Sequence, residues 1–230
     1  MRKIRYCLLF VCAGLLPVMA QAAGLSIGGT RLVFDAASGE ADIQVRNSNK
    51  DEPILVQSWV DDFGDKNKAP FIVTPPLFRL EAGDANDLRV VQTGGTLPAD
   101  RESLFLLNIK SIPTSGDAES ANILQFAIKN QIKLIYRPAD LPGSSREAEK
   151  NLHWSRTGNQ LQVNNDSPYY VTVTKITLNG QTVKTTFTSS VIPPHGSQHY
   201  PASVSPGAHV NWTALDDFGS ADNFTAALSS

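Results

Sequence analysis

Four histidines, His153, His195, His199 and His209, and two adjacent acidic pairs, Asp61-Asp62 and Asp216-Asp217, are the first candidates for acid/base or metal chemistry in this 230-residue chain. Only His195 and His199 have a ligand-like spacing. In His195-Gly196-Ser197-Gln198-His199 the glycine and the preceding Pro193-Pro194 predict a loop, and no glutamate follows His195 to act as the base of a zinc protease. Neighbouring residues on a strand point to opposite faces, so each aspartate pair is expected to make one core-edge or interdomain contact and carry one solvated charge. A serine nucleophile would need an elbow of the G-x-S-x-G kind, and none occurs. No glycine motif able to cradle phosphate is present, and both cysteines, Cys7 and Cys12, fall in the first dozen residues. The residues best suited to catalysis therefore predict neither an active site nor a metal centre.

The elements that would position any site start from an export signal. Arg2, Lys3 and Arg5 open the chain, Tyr6 to Met19 is apolar, and Ala20-Gln21-Ala22 is a small-x-small cleavage site. The signal is read as residues 1–22, its apolar part too short for a membrane span of roughly 20 residues. Its removal takes away both cysteines, so disulfides are not expected in the exported protein. It also removes three of the 20 basic residues and no acidic ones, moving the formal charge from −2 to −5. A mildly acidic chain with no basic block argues against nucleic acid or an anionic membrane as the main partner.

Beyond the signal, strand patterning dominates. Ala41, Ile43 and Val45 alternate with polar residues, and Ile54 to Val60, Phe71 to Val73, Leu88 to Val91 and Leu104 to Ile112 follow as short β-rich runs. Ile123 to Arg137 contains no glycine or proline, and its Leu124, Phe126 and Ile128 form an apolar row along one face. Such a row either fills the protein's own core or is offered to a partner. Pro138 to Ser145 is a cluster of turn formers ahead of the charged, helix-like run Arg146 to Asn151. Further strands are expected over Gln160 to Asn164, Tyr169 to Leu178 and Ala208 to Ala214, with Asn179-Gly180 as a two-residue hairpin turn. Nothing alternates strand with helix, so the prediction is all-β, with domains over 23–138 and 148–230 and a linker over 139–147.

The words Ile132-Lys133-Leu134-Ile135-Tyr136-Arg137-Pro138 closely resemble the segment that ends the first domain of the periplasmic pilus chaperones, the PapD-like family. The resemblance is carried in the same order by Gly29 to Phe34, Val56 to Asp62, Phe71 to Leu80, Leu97 to Phe105 and Asn108 to Pro113. Weaker matches follow at Ser167 to Val173 and Ala214 to Gly219. It implies two immunoglobulin-like β-sandwich domains in a boomerang arrangement and a non-enzymatic chaperone of the periplasm, with no cofactor. Its partners would be pilin subunits, completed by a donated strand, and an outer-membrane usher.

Carried onto this chain, the resemblance implies that Leu124, Phe126 and Ile128 enter the subunit, with Asn122 and Ile123 as outer neighbours. Arg31 and Lys133 would bind the carboxylate at the subunit's C-terminus. Glu102, Arg137 and Asp217 would lie between the domains, and Leu55 and Gln57 would face the usher. A short, cysteine-free loop over about Thr114 to Asn122 implies the short-loop class. Lys133 has the opposite parity to the apolar row, and a bulge or strong twist near Asn130-Gln131 would reconcile the two. Self-association of the free protein is left open. Two readings compete: an exported adhesive or carbohydrate-binding sandwich, which needs neither Arg31 nor Lys133, and an exported hydrolase, which needs Asp61 or His195.

Overall fold

Alternation along the strands of the first domain puts one side of each sheet into a shared core. The computed structural model describes residues 24–64, 69–114, 125–203 and 207–229; the expected signal and Leu124, Asn122 and Ile123 lie outside them. The strands are β1 (Leu25–Ile27), β2 (Arg31–Asp35), β3 (Glu40–Asn47), β4 (Ile54–Asp62), β5 (Phe71–Thr74), β6 (Leu77–Leu80), β7 (Ala85–Gln92), β8 (Ser103–Pro113) and β9 (Ile128–Arg137). One sheet runs β1-β3-β7-β5 and the facing sheet β2-β9-β8-β4-β6. Ile54, Val56 and Val60 of β4 are buried while Gln57 is exposed, the period of two that the sequence shows. Phe71 packs edge-on against Phe34 and Phe105, at centroid separations of 5.2 and 4.9 Å.

The second domain comprises α1 (Ser145–Lys150), β10 (His153–Thr157), β11 (Gln160–Asn165), β12 (Val171–Leu178), β13 (Gln181–Val183), β14 (Val191–Ile192), β15 (Gly196–Pro201), β16 (His209–Leu215) and β17 (Ala221–Ala227). Its sheets run β10-β11-β15 and β13-β12-β16-β17, with β14 also on β12. Their core is built on Trp154, Tyr200 and Trp212. Ser144 caps α1, its hydroxyl accepting from the Glu147 backbone at 3.2 Å and donating to the Glu147 carboxylate at 3.0 Å. The helix docks by accepting the Trp212 indole N–H on the Glu149 carbonyl at 3.0 Å. Asn179 and Gly180 adopt φ of 49° and 81°, and Leu178 pairs with Gln181 across the predicted turn. No helix among the described residues is long and apolar enough to cross a membrane.

Three expectations are corrected. His195 does sit in a turn, but a strand starts at Gly196 and His199 pairs with Gln162, because β15 completes a sheet whose outward face tolerates polar residues. The strand expected over Ile123 to Arg137 begins at Ile128, opposite Ser111, and Gln125 to Ala127 have no strand partner. No bulge occurs near Asn130-Gln131, since the pairing of β8 with β9 is unbroken from Ser111↔Ile128 to Ser103↔Tyr136. Lys133 and Ile128, the member of the apolar row that lies on β9, are therefore on opposite faces of one regular strand.

Candidate functional site

The site is made by a strand that changes sheets. The chain leaves the first sheet after β1 and enters the second at Arg31 through Gly28-Gly29-Thr30. There the Gly28 N–H donates to the Gln44 carbonyl at 2.8 Å, and a Cβ on Gly28 would lie 3.2 Å from that oxygen, tight for any side chain. Because β2 starts at Arg31, it pairs in parallel with β9 only from Arg31↔Lys133 to Asp35↔Arg137. The stretch Ile128–Ile132 pairs with β8 on one side and with no described strand on the other. It is an open edge with unpaired backbone donors and acceptors.

The two faces of β9 serve different surroundings. Ile132 and Leu134 enter the first domain's core, and the same face carries Ile128 outward beyond it, with Phe126 just ahead of the strand. Phe126 is 66% and Ile128 59% exposed, so the described part of the row is offered to solvent. The opposite face carries Lys133, Ile135 and Arg137 toward the second domain, where Ile135 clusters with Leu104 and Val191. Gln131, farther along that face, donates to Asn108 at 2.8 Å. Asn108 in turn donates to Asp61 at 3.0 Å, the acceptor that Trp59 also uses at 3.0 Å. Asp61 is thus occupied in bracing the sheet beneath the open edge. His195 is in the other domain, and among the described residues no group of three or more His, Cys, Asp or Glu is placed to hold a metal.

Arg31 and Lys133 stand where the open edge ends. Arg31 is only 7% exposed; its guanidinium donates to the Leu215 carbonyl at 3.0 Å and its Nε has no partner. Neither residue forms an ion pair among the described residues. Burial pulls the Lys133 ammonium down to about 8, with the adjacent Arg31 charge adding to the effect. Burial likewise lowers Arg31, against the more distant charges of Asp217, Glu149 and Asp216. Behind Arg31, Glu149 is buried with one carboxylate oxygen unpartnered, and burial together with Asp217 and Asp216 pushes it up to about 7. Two desolvated cations with no direct ion-pair partner among the described residues are costly to keep, and an arriving anion would relieve that cost.

Glu102, Arg137 and Asp217 meet at the domain junction. Arg137 donates through Nε to Glu102 at 2.7 Å and through both terminal nitrogens to Asp217 at 2.8 Å. Glu102 also accepts the Tyr170 backbone N–H at 2.6 Å, and Asp217 accepts the Ser145 hydroxyl at 3.1 Å. Burial of Arg137 is outweighed by these hydrogen bonds and charges, so its guanidinium is held more firmly protonated than usual. Asp216 closes the adjoining turn by accepting from the Phe218 and Ser220 backbones. That turn reaches Thr30 so closely that a Cβ on Gly219, at φ 86°, would lie 2.3 Å from the Thr30 hydroxyl. Leu55 and Gln57 lie elsewhere, half-buried and exposed on β4, across from Arg79 and Leu77 of β6.

Sequence reasoning misses Glu149 and Phe187. Phe187 belongs to the second domain, yet its ring centroid is 4.7 Å from the Lys133 Nζ. A lone aromatic among threonines and serines is its only signal. In the sequence Glu149 is one charge in a solvated helix run, and only its docking against Trp212 buries it.

Comparison with known proteins gives the same picture for both halves. Residues 24–142 match the pili and flagellar-assembly chaperone PapD N-terminal domain, and residues 147–226 the pili assembly chaperone PapD C-terminal domain. The chain is 39% identical over 221 residues to the chaperone protein LpfB of Salmonella typhimurium, covering 93% of this chain and 94% of that protein. It is 34% identical over 226 residues to the chaperone protein FimC of Escherichia coli K12, covering 95% and 91%. In three dimensions it matches the Salmonella enterica SafA pilin–SafB chaperone structure with a TM-score of 0.80 at 34% identity, covering 91% of this chain and 98% of that one. The E. coli chaperone DraB matches with a TM-score of 0.78 at 36% identity, covering 91% and 98%. Two sandwich domains joined at Arg137, each matched in chain order by its own half of the family, make this chain a member of the PapD family of pilus assembly chaperones.

Proposed function

We propose that this periplasmic chaperone lends the open edge of β9 to a pilin subunit and fixes the register of the added strand by holding the subunit's C-terminal carboxylate between Arg31 and Lys133. The observation that supports this is the coincidence of two features at one place. The unpaired edge over Ile128–Ile132 ends at two desolvated cations with no direct ion-pair partner among the described residues. A terminal carboxylate can neutralise both and make charge-assisted hydrogen bonds to them. With its end held there and its body lying along Ile128–Ile132, the subunit strand has to run parallel to β9, in line with β2. Phe126 and Ile128, with Leu124 beyond them, then supply apolar side chains to the subunit's unfinished core, the alternating-pocket mode of strand addition.

The rest of the reading follows the family. The Arg137 bridge to Glu102 and Asp217 holds the domains around the cleft, residues 139–147 form the link between them, and delivery to an outer-membrane usher uses Leu55 and Gln57. The short-loop class is proposed on the length of the segment after Thr114. Phe126→Glu tests the strand donation. The charge sits in water in the free protein and is buried without a partner only in the complex. The thermal midpoint of the purified variant is expected to stay within about 2 °C of wild type, while recovery of a co-produced pilin from periplasm falls at least about tenfold, for a loss of roughly 1.5 to 3 kcal/mol of side-chain burial. Severe loss of stability in the isolated variant would return the row to the chaperone's own core.

A further inference from the structure

Phe187 is held away from its own domain's core by a turn that fixes the main chain on both sides of it. Thr186 N–H donates to the Ser189 hydroxyl at 2.8 Å, Ser189 N–H to the Thr186 hydroxyl at 3.1 Å, and Ser190 N–H to the Thr186 carbonyl at 2.9 Å. The Ser190 hydroxyl donates to the carbonyl of Phe187 itself at 2.8 Å, and the buried Tyr200 donates its hydroxyl to the Ser189 carbonyl at 2.7 Å. The ring this turn presents is 50% exposed and takes no part in the second domain's core. Its described aromatic and cationic neighbours both belong to the first domain: the Lys133 ammonium at 4.7 Å and the Phe63 ring at 6.0 Å.

The Lys133 ammonium has no hydrogen-bond acceptor among the described side chains, and Arg31 on the parallel neighbour β2 is the charged group acting on it, while Leu106 stands opposite on β8. An aromatic face attracts an ammonium without neutralising it, unlike a carboxylate, which would compete with the ligand. We propose that Phe187 is a positioning residue for the subunit's C-terminal carboxylate: from the second domain, its ring holds the Lys133 ammonium at the end of the open edge, so that the anchor is assembled only when the two domains are docked. This rests on the reading of Arg31 and Lys133 as the carboxylate anchor.

The test uses the full exported chain with Phe187→Leu, which keeps apolar bulk but removes the ring, and Phe187→Tyr, which keeps the face. The first measurement needs no ligand: NMR titration of the Lys133 ε-methylene, which starts from a wild-type value near 8. Phe187→Leu is expected to move the titration lower and abolish the ring-current shift, and Phe187→Tyr to restore both. The second uses a synthetic peptide of a co-purifying pilin's last strand, as free acid and as amide. The free-acid preference is expected to fall roughly threefold to tenfold in Phe187→Leu, to be lost at a lower pH than in wild type, and to be unaffected by Phe187→Leu in a Lys133→Met background. A preserved wild-type preference with an unmoved Lys133 titration overturns the role of Phe187 alone. A loss equal for acid and amide, or persisting in Lys133→Met, assigns Phe187 to structure and also overturns it. No acid preference in wild type, with Lys133→Met equally silent, overturns the anchor reading and this proposal with it.

Discussion

Arg31→Ala combined with Lys133→Ala is expected to yield a folded, exported protein from which pilin subunits no longer co-purify. Each charge-assisted hydrogen bond is worth about 1.5 to 3 kcal/mol, so losing one from each cation weakens the complex by roughly two to four orders of magnitude. The free protein should tolerate the change. Among the described residues neither cation forms an ion pair and Arg31 Nε is unpartnered, so removing them takes away desolvated charge at the loss of one hydrogen bond, from Arg31 to the Leu215 carbonyl. Calorimetric affinity for a purified subunit, with thermal denaturation of the free variant, checks both halves. Wild-type recovery of subunit from the double variant would end the anchor assignment.

Arg137→Met should have the largest effect on the chaperone itself. It strands Glu102, whose side chain is 1% exposed, with the Tyr170 N–H as its remaining donor, and takes two hydrogen bonds from Asp217. Breaking a buried pair by removing one partner typically costs about 3 to 5 kcal/mol. The sign of the pH dependence follows from Glu102, which burial already raises above the usual carboxylate range despite the Arg137 charge. Without that charge the carboxyl rises further, so between the unfolded and the folded values the folded variant binds more protons than the unfolded chain. Stability retained at low pH is then lost as pH rises, and the difference from wild type should be smaller at pH 5 than at pH 7.5. Denaturant unfolding of both proteins at the two pH values measures it. An unchanged midpoint, or a larger deficit at pH 5, would show that the bridge does not bind the domains together.

The strands that alternate cleanly are legible in the amino-acid sequence alone, because burial on one face leaves a period of two in β3, β4 and β7. The Asn179-Gly180 hairpin is legible because its turn demands positive φ twice. β10 and β15 carry no such signal, since each holds a single large buried side chain, Trp154 or Tyr200, and Pro193-Pro194 precedes β15. For the site, residue types and order point to Arg31 and Lys133 through family resemblance. Their adjacency comes from a parallel pairing between segments about a hundred positions apart, which no local pattern encodes. The parity conflict at Lys133 is real, but it needs no irregularity. A chain added at the open edge would have its terminus in the plane of the sheet, where the proposed anchor can reach it from the cleft face while Ile128 points the other way. Phe187 acquires its surroundings only when the second domain docks on the first, and Glu149 is buried only when its helix docks on Trp212.

With the proposed anchor at one end, the unbroken register of β9 would make the chaperone a counting device. Ile128 and Lys133 are five positions apart on a regular strand, a span of about 17 Å at roughly 3.3 Å per residue. With the client's last residue pinned at the proposed anchor, every client side chain is assigned to a face by whether its position, counted back from the terminus, is odd or even. Lengthening the client by one residue reverses that assignment and turns its apolar set away from the row, whereas lengthening it by two keeps the faces and only slides the match by one pocket. On the proposed anchor, clients would be sorted, and clipped or extended ones rejected, by the phase of the tail without most of its sequence being read.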